Sequence, residues 1–154
     1  MTFTTETLTS PVEAESSFAP PADNIVQTIQ TVIASMDAEN TALENQTEDT
    51  WKFRYGTVEV VVNITGITPV DTFTVFSTVL SAPFKDEVKM TRWLLEKNAT
   101  ETFEARYAIQ NDQVLVLASR SVEDLSPAEI SRIITIVAAI ADDNDEMLKE
   151  NFCA

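Results

Sequence analysis

The chain has 154 residues, enough for one domain, and 44% of them are apolar, an ordinary fraction for a globular fold. The net charge of -15 repels phosphate backbones and anionic membrane surfaces, so neither nucleic acid nor a membrane is an expected partner. The absence of histidine removes His-based acid–base and nucleophile chemistry and nearly all common zinc sites.

The charge is unevenly placed. No Lys or Arg precedes Lys52, whereas nine of the 25 acids do. Residues 1–22 are rich in Thr, Ser, Glu and Pro, with Phe3, Leu8 and Phe18 scattered singly. Such a stretch buries too little apolar surface to offset its ordering entropy, so a mobile acidic tail is expected there, ahead of a single domain over residues 23–154. The start carries neither a basic n-region nor an apolar h-region, and no signal peptide is expected. The one cysteine, Cys153, permits no disulfide within a single chain, which fits a reducing, cytoplasmic setting.

After Pro20-Pro21, Asp23 or Asn24 offers an N-cap, and Ile25, Ile29, Val32, Ile33 and Met36 recur at helical spacing. A first helix is expected to end near Glu39, with a polar connector through Thr50. Trp51, Phe53 and Tyr55 alternate with Lys52 and Arg54, giving a strand with one buried face. Gly56 supplies a permissive hairpin turn. Val58, Val60, Val62 and Ile64 form the inward set of a second strand, and Phe73, Val75 and Val79 continue it on a third. Val61, Phe76 and Leu80 fall on the other side.

A helix follows whose apolar residues do not share one face. Phe84, Val88, Thr91 and Leu95 form one sector, with Trp93 nearly opposite, Met90 beside it and Leu94 between the two. Because Trp and Met are enriched at interface centres, Met90, Trp93 and Leu94 are read as a dimer interface.

Phe103, Ala105, Tyr107 and Ile109 alternate with Glu104 and Arg106 as the inward set of a fourth strand. Asn111-Asp112 suits a two-residue turn, and Val114 to Ala118 is apolar on both faces. Arg54 and Arg106 are expected to pair with Glu59 or Glu104 across strands. The last helix opens with Ser126 as N-cap, Pro127 in the first turn, Glu129 completing a capping box, and Leu125 and Ile130 placed as a hydrophobic staple. A stripe from Ile133 to Leu148 makes it the core helix. The fold class is thus α+β, a two-layer sandwich in the order α-β-β-β-α-β-β-α, with an antiparallel five-stranded sheet packed with helices.

No catalytic constellation emerges. Two glycines, Gly56 and Gly66, leave no dinucleotide or P-loop motif. The run Asp142-Asp143-Asn144-Asp145-Glu146 lacks the glycine and terminal glutamate of an EF-hand, and reads as a solvated helix face. Nothing pins two of Glu96, Glu101 and Glu104 at a hydrolytic separation. The expectation is a non-enzyme without metal or cofactor. Val61, Phe76 and Leu80, with Leu115 and Leu117 of the last strand, would form an apolar partner-binding patch on the back of the sheet. If a helix covers that face, they are ordinary core instead.

The W-x-F-x-Y-G opening at Trp51 to Gly56 and the L-L-x-x-N helix end at Leu94 to Asn98 carry a resemblance, as do Phe103-x-Ala105-x-x-Ala108-Ile109 and Asp112-x-Val114-x-x-Leu117. From about Ile25 to Phe152 the sequence resembles the YbjN-like superfamily, whose fold is similar to class I type III secretion chaperones. The resemblance implies a sandwich on a five-stranded sheet, frequent homodimers with the middle helix contributing, and possible holding of an extended client segment. A sensory or regulatory role, with a small ligand held between sheet and helices, is the alternative it leaves open.

Overall fold

A computed structural model describes residues 22–37, 47 and 49–154. Residues 1–21 of the expected tail and most of the connector before Thr50 lie outside the described residues, and Ala22 already belongs to the first helix. The elements are α1 (Ala22–Met36), β1 (Thr50–Tyr55), β2 (Val58–Ile64), β3 (Thr72–Ser81), α2 (Glu87–Thr100), β4 (Arg106–Gln110), β5 (Gln113–Ser121) and α3 (Pro127–Phe152). The strands form one five-stranded antiparallel sheet in the order β1-β2-β3-β5-β4, so β1 and β4 are its edges.

Local chemistry sets the turns. Gly56, at φ 55°, and Thr57 close the β1–β2 hairpin, while Asn111 and Asp112 take φ of 51° and 58° between β4 and β5. Both connections are two-residue loops of the kind that follows the strands' own twist. Ser126 caps α3 by accepting a hydrogen bond from the Glu129 N–H at 3.2 Å. The carboxylate of Glu129 does not complete the capping box; it pairs with Arg120 instead.

Helix α3 lies across β2, β3 and β5, and α1 packs on α3. Phe53, Val60, Val62, Phe73, Val75, Val114 and Val116 meet Ile29, Ile33, Ile134, Val137 and Leu148 in one apolar core. The chain end is fastened as well: the Lys85 N–H donates to the Phe152 carbonyl at 2.8 Å and the Ala154 N–H to the Pro83 carbonyl at 3.1 Å.

Three sequence-based expectations need correction. Leu80 belongs to the core and not to the back of the sheet, at 2% exposure. A β-bulge between Thr78 and Leu80 inserts one residue into β3, so beyond it the alternation flips and Leu80 pairs with core-facing Val114. Phe103 lies outside β4, in a turn at φ 52°, and is exposed. Helix α2 is rotated opposite to the expected dimer face: Met90 and Leu94 are buried in the core, whereas Val88 is 87% and Leu95 65% exposed.

Contacts with edge strand β4 explain that rotation. Asn98 accepts from the Tyr107 N–H at 2.7 Å and donates to the Tyr107 carbonyl at 3.1 Å, clasping the free edge of β4. Leu94, one turn earlier on the same stripe, therefore points inward, as does Met90 a turn before it. Trp93 is half-buried beside them, its ring tilted 57° to that of Tyr107 at 5.6 Å, with Lys97 Nζ 5.4 Å from the indole centroid. The indole that looked stranded on a second face thus has partners within the chain.

Candidate functional site

Among the described residues, the helices cover one face of the sheet. Val61 and Leu115 are buried at 8% and 5% exposure, yet both stand outside the main core cluster. They belong to the opposite face, since residues paired across an antiparallel sheet point the same way. Pairing aligns Lys52, Val61, Phe76, Leu117 and Arg106 in one row across all five strands. Leu115 stands in the next row, opposite Thr78 and Ala108. Phe76 and Leu117 are half-buried, and Lys52 and Arg106 are exposed. Four of the five residues anticipated for partner binding, Val61, Phe76, Leu115 and Leu117, are thus brought together, and Leu80 is not.

A second apolar surface is the outer side of α2. Val88, Thr91, Leu95 and Ala99 line a shallow concavity bordered by Glu87 and Arg92. Leu95 also borders a groove between α2 and β4 with Tyr107, Ala108 and Ile109, the last 46% exposed. Sequence reasoning named Val88 and Leu95 as one face but took it to be the core side. The Asn98 of the L-L-x-x-N ending was the available signal, because a side-chain amide can satisfy both backbone groups of an edge residue.

A cavity of about 330 Å³ opens where β5 meets the first turns of α3, lined by Glu104, Ala118, Ser119, Arg120, Glu129 and Arg132. Its charges are internally matched. Arg120 pairs with Glu129, and Arg132 Nε lies 2.8 Å from Glu104 Oε1. The hydrogen bond from Arg132 leads the effects that hold the Glu104 carboxyl below the usual carboxylate range. Glu104 therefore reaches the last helix and does not pair across the strands with Arg54 or Arg106; the residue opposite Arg54 is Glu59.

The acidic run of α3 is also not a plain solvated face. Asp145 is fully buried and accepts from the Thr57 hydroxyl at 2.9 and 2.8 Å, while Asp142 accepts the Thr57 N–H at 2.9 Å. A methyl group on Gly56 would sit 2.1 Å from Asp142 Oδ1. Glycine there serves both the turn and the approach of α3, and the run latches the β1–β2 hairpin to the helix. Among the described residues no cluster of acids or cysteine has the grouping to hold a metal ion.

The sequence profile of the YbjN family, described as “Putative bacterial sensory transduction regulator”, matches residues 25–150. The chain belongs to this family. A search of curated proteins finds no significant sequence match. Among solved structures, this YbjN protein is similar to a chain of the ExoT–SpcS complex from Pseudomonas aeruginosa. The TM-score is 0.52 at 15% identity, covering 80% of this chain and 97% of that one. The likeness is one of fold alone. None of the helices among the described residues is long and apolar enough to cross a membrane.

Proposed function

We propose that this YbjN protein is a non-catalytic, chaperone-like module of the cytoplasm that holds a segment of a partner protein and works as a homodimer. The observation that carries this reading is a sheet whose helices, among the described residues, lie on one face. The other face is left with Val61, Phe76, Leu115 and Leu117 as an apolar centre within polar strands. Extended protein segments dock on such surfaces through alternate side chains. Dimerisation is assigned to the outer side of α2 in place of Met90, Trp93 and Leu94. Val88 and Leu95 are two turns apart on one stripe, so a two-fold antiparallel crossing sets Val88 of one copy against Leu95 of the other. The fold shared with a chain of the ExoT–SpcS complex supports the reading.

Affinity capture from the native host, with wild type and Phe76→Glu/Leu117→Glu side by side, tests it. One protein recovered at stoichiometric amount by the wild type and lost by the variant is the expected result. Capture by both proteins, or by neither, would remove the back of the sheet from consideration. A second reading, a small-ligand sensor, draws on the cavity of about 330 Å³ between β5 and α3, at the lower end of the ligand-pocket range. It predicts thermal stabilisation by a metabolite, abolished by Arg120→Ala or Arg132→Ala, with no protein partner.

A further inference from the structure

On the face that carries no helix among the described residues, one row of side chains crosses all five strands. Its centre is Val61, Phe76 and Leu117, and each end is a cation, Lys52 on one edge strand and Arg106 on the other. Neither cation belongs to an ion pair among the described residues. Elsewhere Arg92, Lys97, Arg120, Arg132 and Lys149 each face a carboxylate, while Lys85 and Lys89, outside the sheet, belong to no ion pair among the described residues either. On the back of the sheet the one acid aligned with these rows is Glu59, opposite Arg54. The remaining flank is polar: Thr50, Asn63, Thr74 and Ser119 form the adjoining row, tied by a 3.0 Å hydrogen bond between the Thr74 and Ser119 hydroxyls, with the Asp49 carboxylate accepting from the Thr50 hydroxyl at its end. A chain of net charge -15 thus sets an exposed cation at each end of a row whose apolar centre is buried or half-buried.

We infer that this face takes an acidic amphipathic segment in extended form, with apolar residues on Phe76 and Leu117 and a carboxylate at each end on Lys52 and Arg106. The inference rests on the reading that a partner segment is held on the back of the sheet, and adds its charge and spacing. Four strand intervals of about 4.8 Å separate the two cations by about 19 Å. A segment crossing them at about 3.3 Å per residue needs its carboxylates about six residues apart, with apolar side chains at alternate positions between. The charge also selects against basic segments, since like charges brought together on a partly desolvated surface are unfavourable.

The test uses the full-length protein and three fluorescent heptapeptides sharing a Thr-Val-Thr-Phe-Thr centre and ending in Glu, Ser or Lys. Fluorescence anisotropy should rank them Glu over Ser over Lys, with about tenfold between the first and last at low salt. That gap should shrink as ionic strength passes a few tenths molar. Lys52→Glu/Arg106→Glu, at two exposed positions, should invert the order, and Phe76→Ser should weaken all three. Equal binding of the three peptides, lost in Phe76→Ser, would overturn the acidic specificity while leaving the holding face intact. No binding by any peptide up to about 1 mM would overturn the spacing as well. Sedimentation with phosphatidylserine vesicles, abolished by the double variant while no peptide binds, would assign the two cations to a lipid surface and overturn the inference.

Discussion

Leu95→Glu is the substitution that most sharply divides the proposed dimer face from the buried one. Full burial of a Val, Leu or Ile side chain contributes about 1.5–3 kcal/mol. Val88, Leu95 and Ile109 are 87%, 65% and 46% exposed, so closing this surface between two copies yields roughly 8 kcal/mol before costs. Taking the low end of the cost in lost rotational and translational freedom, about 4 kcal/mol, leaves about 4 kcal/mol, a dissociation constant in the range of about 1 mM. Leu95→Glu removes the most central of these side chains twice per dimer and buries two charges in its place, so dimerisation should vanish from that range. Sedimentation equilibrium on wild type and variant, with circular dichroism to confirm the fold, is the assay. A wild type that stays monomeric at about 1 mM refutes the face. So does a Leu95→Glu protein that dimerises as well as wild type. Met90→Glu, by contrast, should unfold the domain whatever the oligomeric state, because Met90 has no exposed surface.

Four further outcomes follow from contacts within the chain. Thr57→Val leaves the buried Asp145 carboxylate without the hydroxyl that donates to it and should cost about 2 kcal/mol in urea unfolding. Gly56→Ala should also destabilise, through its φ of 55° and the Asp142 carboxylate in the way. Asn98→Ala removes the clasp on Tyr107 and should cost about 1–3 kcal/mol, with a concentration-dependent rise in light scattering as the freed β4 edge pairs between molecules. Tyr107 has its hydroxyl pushed up to about 12, first by burial and then by the charges of Glu101 and Asp143. Between about pH 10 and 12 the unfolded chain releases this proton while the folded one keeps it, so stability falls as pH rises, by roughly 2 kcal/mol across the window. Unfolding curves at several alkaline pH values should show this slope in wild type and not in Tyr107→Phe.

The sequence by itself determined the elements, because periodicity and turn chemistry are local. Alternation over Val58 to Ile64, the positive-φ residues at Gly56 and Asn111-Asp112, and the Ser126 cap each depend on neighbours a few positions away. Their order was enough to define an antiparallel sheet with helices, and the apolar and turn motifs carried the family. Tertiary structure alone decided which apolar faces were spent. The bulge in β3 moved Leu80 into the core, and the clasp of Asn98 on Tyr107, nine residues away, turned Met90 and Leu94 inward and Val88 and Leu95 outward. A helical wheel separates two faces and cannot rank them when both are apolar, since burial depends on what the rest of the chain brings opposite. The same holds for the row from Lys52 to Arg106: its members lie far apart in sequence, and only the register of five strands sets them side by side.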